Sequence, residues 1–199
     1  MRFLPMGDRS VLVELADPAE VHRLRAAALA AGVGREAVPG WRTLLLTTDG
    51  DPRVLVDEVK RLATTTASSV ATQHHEIPVR YDGEDLADVA EASGLAPAEV
   101  VELHAGAEYV VVLLGFSRGF PYLAGLPEQL RQPRLSTPRT KVPAGSVGIA
   151  LDQCGIYPMD SPCGWRLLGR TDLPVFDETR DPPNLLGIGD TVRFVAVAP

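Results

Sequence analysis

The chain has 199 residues, 45% hydrophobic and 23% charged, which is enough for one sizeable core or two small ones and too apolar for a disordered chain. Its formal net charge of −7 argues against a nucleic-acid partner, which needs a concentrated basic face. The start Met1-Arg2-Phe3-Leu4-Pro5 lacks signal-peptide character, and the apolar run Tyr109 to Leu114 falls far short of the roughly 20 residues that span a bilayer, so a cytoplasmic protein without a membrane partner is expected.

In chain order, Ser10 to Leu15 reads as a strand rich in branched apolar residues. Asp17-Pro18 supplies a cap and a first-turn proline, and Val21, Leu24 and Ala28 at helical spacing predict a helix over 18–31. An extended segment from Arg35 to Pro39 and a strand from Thr43 to Thr48 follow. Asp51-Pro52 repeats the cap signal, Leu55, Val59 and Leu62 mark one face of a second helix, and Thr64 to Ser69 is a polar tail that ends it. With a strand from His74 to Arg80 the order becomes βαββαβ, the ferredoxin-like pattern.

Asp85 to Ala92 and Pro97 to His104 read as two short helices about Gly94. Most of the 17 prolines lie beyond residue 105, where the pattern turns all-β: Tyr109 to Leu114, Val147 to Ala150, Arg166 to Gly169 and Thr191 to Val197 are expected strands, which argues for a closed barrel or sandwich. The expected class is α+β, with a ferredoxin-like domain over 1–82, a helical connector over 83–107 and a β domain over 108–199.

Several motifs fail on their surroundings. Gly32-Val33-Gly34-Arg35-Glu36-Ala37 fits a dinucleotide-binding pattern, but a helix precedes it and a strand follows, the reverse of what a phosphate site requires. His74-His75-Glu76 places neighbouring side chains on opposite faces of a strand, so no metal is expected. Ser146 in Pro143-Ala144-Gly145-Ser146-Val147-Gly148 lacks the strand-to-helix turn of a nucleophilic serine. That loop is open to two readings, a structural turn or a backbone cradle for an oxyanion. Between Arg118 and Lys141, Arg118, Arg131, Arg134, Arg139 and Lys141 accompany only Glu128, which suits either a small anion or a solvated loop. Cys154 and Cys163 cannot form a metal cage alone, and would pair only if brought within about 7 Å between Cα atoms.

The densest segments run from Gly115 to Leu123, Ser136 to Ala150, Gln153 to Pro158 and Ser161 to Thr171; Gly7-Asp8, Ile77-Pro78-Val79, Gly83-Glu84-Asp85 and His104 accompany them. In this order and spacing they resemble the family of 5-oxoprolinase B subunits, which also contains allophanate hydrolase subunit 1 and KipI-type inhibitors of a sensor histidine kinase. The resemblance covers nearly the whole chain. It implies a cyclophilin-like β-barrel after the small α/β domain, and a heteromer with a larger, C-type partner that resembles the other half of a carboxyltransferase domain. It also implies a third, A-type partner, with ATP-dependent opening of 5-oxo-L-proline, a small cyclic amide, to L-glutamate. Allophanate hydrolysis and kinase inhibition are the alternatives. The chain departs from the family pattern at Arg118, where proline is usual, at Cys163, where glycine is usual, and at Cys154, where threonine is usual.

On that resemblance, Arg139 and Arg170 are the expected anchors for a substrate carboxylate or phosphate, since a guanidinium binds either through paired hydrogen bonds. Tyr122, Ser146, Gln153 and Tyr157 are expected to supply polar contacts, Phe116, Phe120 and Trp165 the pocket wall, and His104 the acid–base group. No P-loop is present, so no ATP site is assigned.

Overall fold

Local signals set the first helix. The Asp17 carboxylate accepts the Glu20 amide at 2.7 Å, Pro18 takes the first helical position, and α1 (Pro18–Ala31) ends where Gly32 turns left-handed at φ 64°. In this computed structural model, which describes residues 1–63 and 72–198, the chain divides into two units, 1–71 and 72–199. The expected tail Thr64 to Ser69 lies outside the described residues.

In the first unit, β1 (Arg2–Pro5), β2 (Ser10–Glu14), β3 (Glu36–Pro39) and β4 (Thr43–Thr47) form an antiparallel sheet ordered β1-β2-β4-β3. Alternation along β2 and β4 turns Val11, Val13, Leu44 and Leu46 to one face. There they pack on Val21, Leu24 and Ala28 of α1 and on Leu55 and Val59 of α2 (Pro52–Ala63). The two helices on one face of a small sheet are as the βαββαβ reading expects. The fourth strand is not: β1 takes the edge beside β2, and the strand from His74 belongs to the second unit.

That second unit holds β5 (His74–Val79), α3 (Leu86–Ser93), α4 (Pro97–Gly106), β6 (Glu108–Leu114), β7 (Pro121–Ala124), β8 (Arg139–Val142), β9 (Ser146–Ala150), β10 (Gln153–Ile156), β11 (Ser161–Cys163), β12 (Arg166–Arg170) and β13 (Thr191–Ala196). Seven of these strands run in the order β12-β9-β10-β7-β6-β13-β5, while β8 and β11 pair as a separate ribbon. β5 joins by parallel pairing with β13, a partner far along the chain, which is why it leaves the first sheet. Just past β5, Arg80 and Arg170 exchange backbone hydrogen bonds of 2.9 and 2.8 Å and bring the two ends of the sheet together as a nearly closed barrel.

Ile77, Val79, Tyr109, Val111, Leu123, Ile149, Ile156, Leu168 and Phe194 fill the inside, and Val89, Ala90 and Val100 of α3 and α4 pack on the same core. Burial of such side chains stabilises the barrel by about 1.5–3 kcal/mol each. The two helices are thus part of the barrel unit and not a connector. The domain boundary lies near residue 71, ahead of the expected 82.

Candidate functional site

Outward-facing residues of the same strands build a second, smaller cluster. Leu123, Ile156, Ile149 and Leu168 point into the barrel, so their neighbours Tyr122, Tyr157, Ala150 and Leu167 point out. Gly148 and Gly155 sit opposite each other on β9 and β10 and also face outward. A Cβ on Gly155 would lie 2.7 Å from the Phe120 ring, and one on Gly148 would lie 3.4 Å from Trp165 Cβ. The glycine pair therefore makes a trough that the two aromatic side chains fill.

Phe120 is the hub. Its ring meets Phe116, Tyr122, Tyr157 and Trp165 at centroid separations of 5.5, 4.9, 5.1 and 5.5 Å, all near edge-to-face, and Tyr122 meets Trp165 at 5.8 Å. Phe120, Tyr157 and Trp165 are buried, whereas Phe116 is 59% exposed on a turn residue with φ 66°. Phe116, Phe120 and Trp165, expected as a pocket wall, thus pack on one another and on the two tyrosines as an aromatic cluster. The Tyr157 hydroxyl is buried with no nitrogen or oxygen partner among the described residues; the Cys163 thiol is its polar neighbour. Burial chiefly, and Cys163 next, push this phenol's pKa up. Tyr122, half-buried, is raised by the same desolvation, with Arg134 acting against it.

Arg139 adjoins this wall but is already engaged. Its guanidinium donates to Asp85 Oδ1 at 2.9 Å, Glu84 Oε2 at 3.1 Å and the Trp165 carbonyl at 3.4 Å, and the Asp85 hydrogen bond is the main reason its pKa rises. Asp85 is 3% exposed and also accepts the Leu167 amide at 2.7 Å. A buried carboxylate tied to a strand amide and a guanidinium is a fastener of β12, so Arg139 is spent as an anion anchor. A Cβ on Gly83 would lie 2.3 Å from the Leu167 carbonyl, so Gly83-Glu84-Asp85 is the segment that docks there.

Ser146 and its loop are likewise committed. Gly145 N donates to the Tyr157 carbonyl at 2.7 Å, Ser146 N to Pro143 O at 3.2 Å and Ala144 N to Asp160 at 2.9 Å, so these amides form a strand crossing and not an oxyanion cradle. Gly145 has φ 81°, and a Cβ there would lie 2.1 Å from the Thr171 carbonyl. Arg170 is exposed at a separate cavity of about 200 Å³ shared with Gly145, Tyr157 and Asp172. Gln153 faces outward on β10, opposite Ala150.

His104 lies on the other side of the barrel wall. Its Nδ1 is 2.8 Å from the Tyr81 hydroxyl, its Nε2 is 3.3 Å from Cys154 Sγ, and its ring stacks on Phe194 at 4.7 Å. Its exposure is 0%, and burial lowers its pKa to about 3. A neutral imidazole sealed in a core has no route to a ligand, so the acid–base expectation gives way to a structural role.

The model of the carboxyltransferase domain, subdomain C and D, matches residues 1–186. The chain belongs to that family. A Haemophilus influenzae protein named as the B subunit of 5-oxoprolinase is 42% identical along 98% of this chain and 97% of its own length. An Escherichia coli O157:H7 protein of the same name is 48% identical along 80% of this chain and 77% of its own. The crystal structure of TTHA0988 superposes on 96% of this chain with a TM-score of 0.81 and 39% identity, and the match spans 40% of that longer chain.

Two of the departures from the family pattern lie apart in this carboxyltransferase-family chain. Cys154 is buried inside the barrel and Cys163 packs on the outer aromatic cluster; both are free thiols. Arg118 pairs with Glu178 at 2.7 Å on the surface. One further residue matters that sequence reasoning does not single out: in the sequence Asp85 is only the start of a helix, and the Gly83-Glu84-Asp85 motif is the available signal for it.

Proposed function

We propose that this chain is the B-type member of an ATP-dependent 5-oxoprolinase, which opens 5-oxo-L-proline to L-glutamate together with two partners, one larger and carboxyltransferase-like and one further subunit. The end-to-end identity to a relative of that name carries the reading.

Lactam opening needs stabilisation of charge on the amide oxygen, an anchor for the carboxylate, and activation of water or of the amide oxygen itself. The groups a self-sufficient hydrolase would draw on are engaged elsewhere in this chain: His104 is sealed in the core, Arg139 is tied to Asp85, and the amides around Ser146 are used in strand crossings. These commitments support a non-autonomous subunit whose aromatic wall contributes to binding, with ATP handled by the partners.

The test is 5-oxoproline-dependent ATP hydrolysis by the purified chain, by each partner and by the reconstituted set, with allophanate as a parallel substrate. Turnover of 5-oxoproline is expected only when the subunits are combined. Robust turnover by the chain alone, or turnover of allophanate in place of 5-oxoproline, would overturn the assignment, as would activity that is unchanged when this chain is left out.

A further inference from the structure

The cavity at the end of β12 is small and its walls are tied in place. Its volume is about 200 Å³, and Ala144, Gly145, Pro158, Arg170, Asp172 and Pro174 are among the residues that line it. Gly145 is held at both backbone groups: its amide donates to the Tyr157 carbonyl at 2.7 Å, and its carbonyl accepts the Thr171 amide at 2.9 Å. The Leu173 amide is tied back to the buried Thr171 Oγ1 at 3.1 Å. Arg170 is fixed by the pair of backbone hydrogen bonds that it exchanges with Arg80, and its Cγ lies 3.5 Å from where a Cβ on Gly145 would stand.

The charges around this cavity do not cancel. Lys141 pairs with Asp160 at 2.7 Å, and Arg80 donates to both carboxylate oxygens of Asp172. Asp160 also accepts the Ala144 amide at 2.9 Å. Each carboxylate thus has its own cation. The Arg170 guanidinium, in contrast, makes no hydrogen bond and has no carboxylate within 4 Å among the described residues. Lys141, Arg80 and Arg170 stand against Asp160 and Asp172, which leaves one positive charge, and the residue without a partner lines the cavity.

A guanidinium takes a carboxylate or a phosphate through paired hydrogen bonds. Pockets for drug-sized ligands begin at about 300 Å³, so this one has room for a small acid or a single phosphate and not for a whole nucleotide. We propose that the cavity is a small-oxyanion site in which Arg170 holds the carboxylate of a small acid or a free phosphate ion. Asp172 lies at the same cavity and is kept from Arg170 by Arg80, so Arg80 is a positioning residue for the site. The function proposed above supplies one candidate of each kind, 5-oxo-L-proline and the phosphate released from ATP; the site itself does not rest on that reading.

The experiment follows nitrogen–proton correlation spectra of the full chain at constant ionic strength, reading the Arg170 side-chain Nε–H and the Gly145 and Leu173 amides. The additions are 5-oxo-L-proline, inorganic phosphate, ATP and 2-pyrrolidinone, the same ring as 5-oxo-L-proline without its carboxylate. Saturable shifts with 5-oxo-L-proline or phosphate are expected, and the one that half-saturates at the lower concentration is the ligand. ATP should bind no better than phosphate, and 2-pyrrolidinone at least tenfold more weakly than 5-oxo-L-proline. Arg170→Gln should raise the half-saturating concentration at least tenfold, and Arg170→Lys less. Arg80→Gln should raise it severalfold by releasing Asp172 towards Arg170, while Asp172→Asn should lower it; an arginine that is merely solvated would respond to neither. Shifts that never saturate, equal binding in Arg170→Gln, equal potency of 2-pyrrolidinone, or ATP binding tenfold tighter than phosphate would overturn the proposal. If an oxyanion binds through Arg170 yet the reconstituted complex ignores 5-oxoproline, the site stands and the assigned reaction falls. If the complex turns over 5-oxoproline while neither anion shifts Arg170, the reaction stands and the site falls.

Discussion

Replacing Arg139 by alanine removes the guanidinium that holds Asp85 at 2.9 Å and Glu84 at 3.1 Å. A hydrogen bond to a charged group contributes about 1.5–3 kcal/mol where it is shielded, which applies to the buried Asp85. The exposed Glu84 adds little, since solvent screens such pairs. Asp85 would retain the Leu167 amide and the more distant Arg166, at 3.8 Å, so it is not stranded completely. The expected loss is therefore about 2–3 kcal/mol, which for a unit of this size lowers the melting temperature by roughly 6–15 °C. Thermal unfolding followed by near-ultraviolet dichroism of the barrel aromatics measures it, with Asp85→Asn and the double variant completing a cycle. The two single losses should be strongly non-additive, with a coupling of at least about 1 kcal/mol. If Arg139→Ala melts with the parent and yet abolishes turnover in the reconstituted complex, the fastener argument is wrong and Arg139 is a ligand-binding group after all.

The buried imidazole gives a pH signature. Burial lowers His104 to about 3, whereas an unfolded histidine titrates near ~6.5, so the unfolded chain takes up a proton first as the pH falls. Barrel stability should decline from about pH 6.5 downward by up to ~1.4 kcal/mol per pH unit, about 2 kcal/mol by pH 5. Carbon shifts of the imidazole should stay those of the neutral ring at pH 5; titration of His104 above that pH would contradict its sealed position. Gly155→Ala puts a Cβ 2.7 Å from the Phe120 ring and 3.0 Å from the Pro121 carbonyl, which should destabilise the barrel by about 1–3 kcal/mol and disturb the near-ultraviolet spectrum. An unchanged spectrum and melt would mean that the glycine trough is not what seats Phe120.

The parts of the fold legible in the sequence are those set by short-range chemistry. Asp17-Pro18 and Val21, Leu24 and Ala28 fix α1 within a few residues of one another, and the β-branched runs of β2 and β4 are equally local. The strands β7, β10 and β11 are three or four residues long and carry Pro121, Gly155 and Pro162, so they exist only because neighbouring strands pair with them. That Phe116, Phe120 and Trp165 lie close together is legible because they fall in dense motifs. The condition of each arginine is not, since Asp85 lies 54 positions before Arg139 and Glu178 lies 60 positions after Arg118. A cation's availability depends on partners that only the tertiary fold supplies, and those partners leave Arg139 engaged where the sequence alone leaves it free.

Because β13 lies between β5 and β6 in the barrel sheet, the unit cannot be completed until its final strand is present. On a ribosome β5 and β6 emerge early and must wait, each with an edge unpaired, while everything up to Asp190 is synthesised. Nascent barrels are thus exposed to misassociation for most of their translation. A chain cut before Thr191 would be arrested in that vulnerable form.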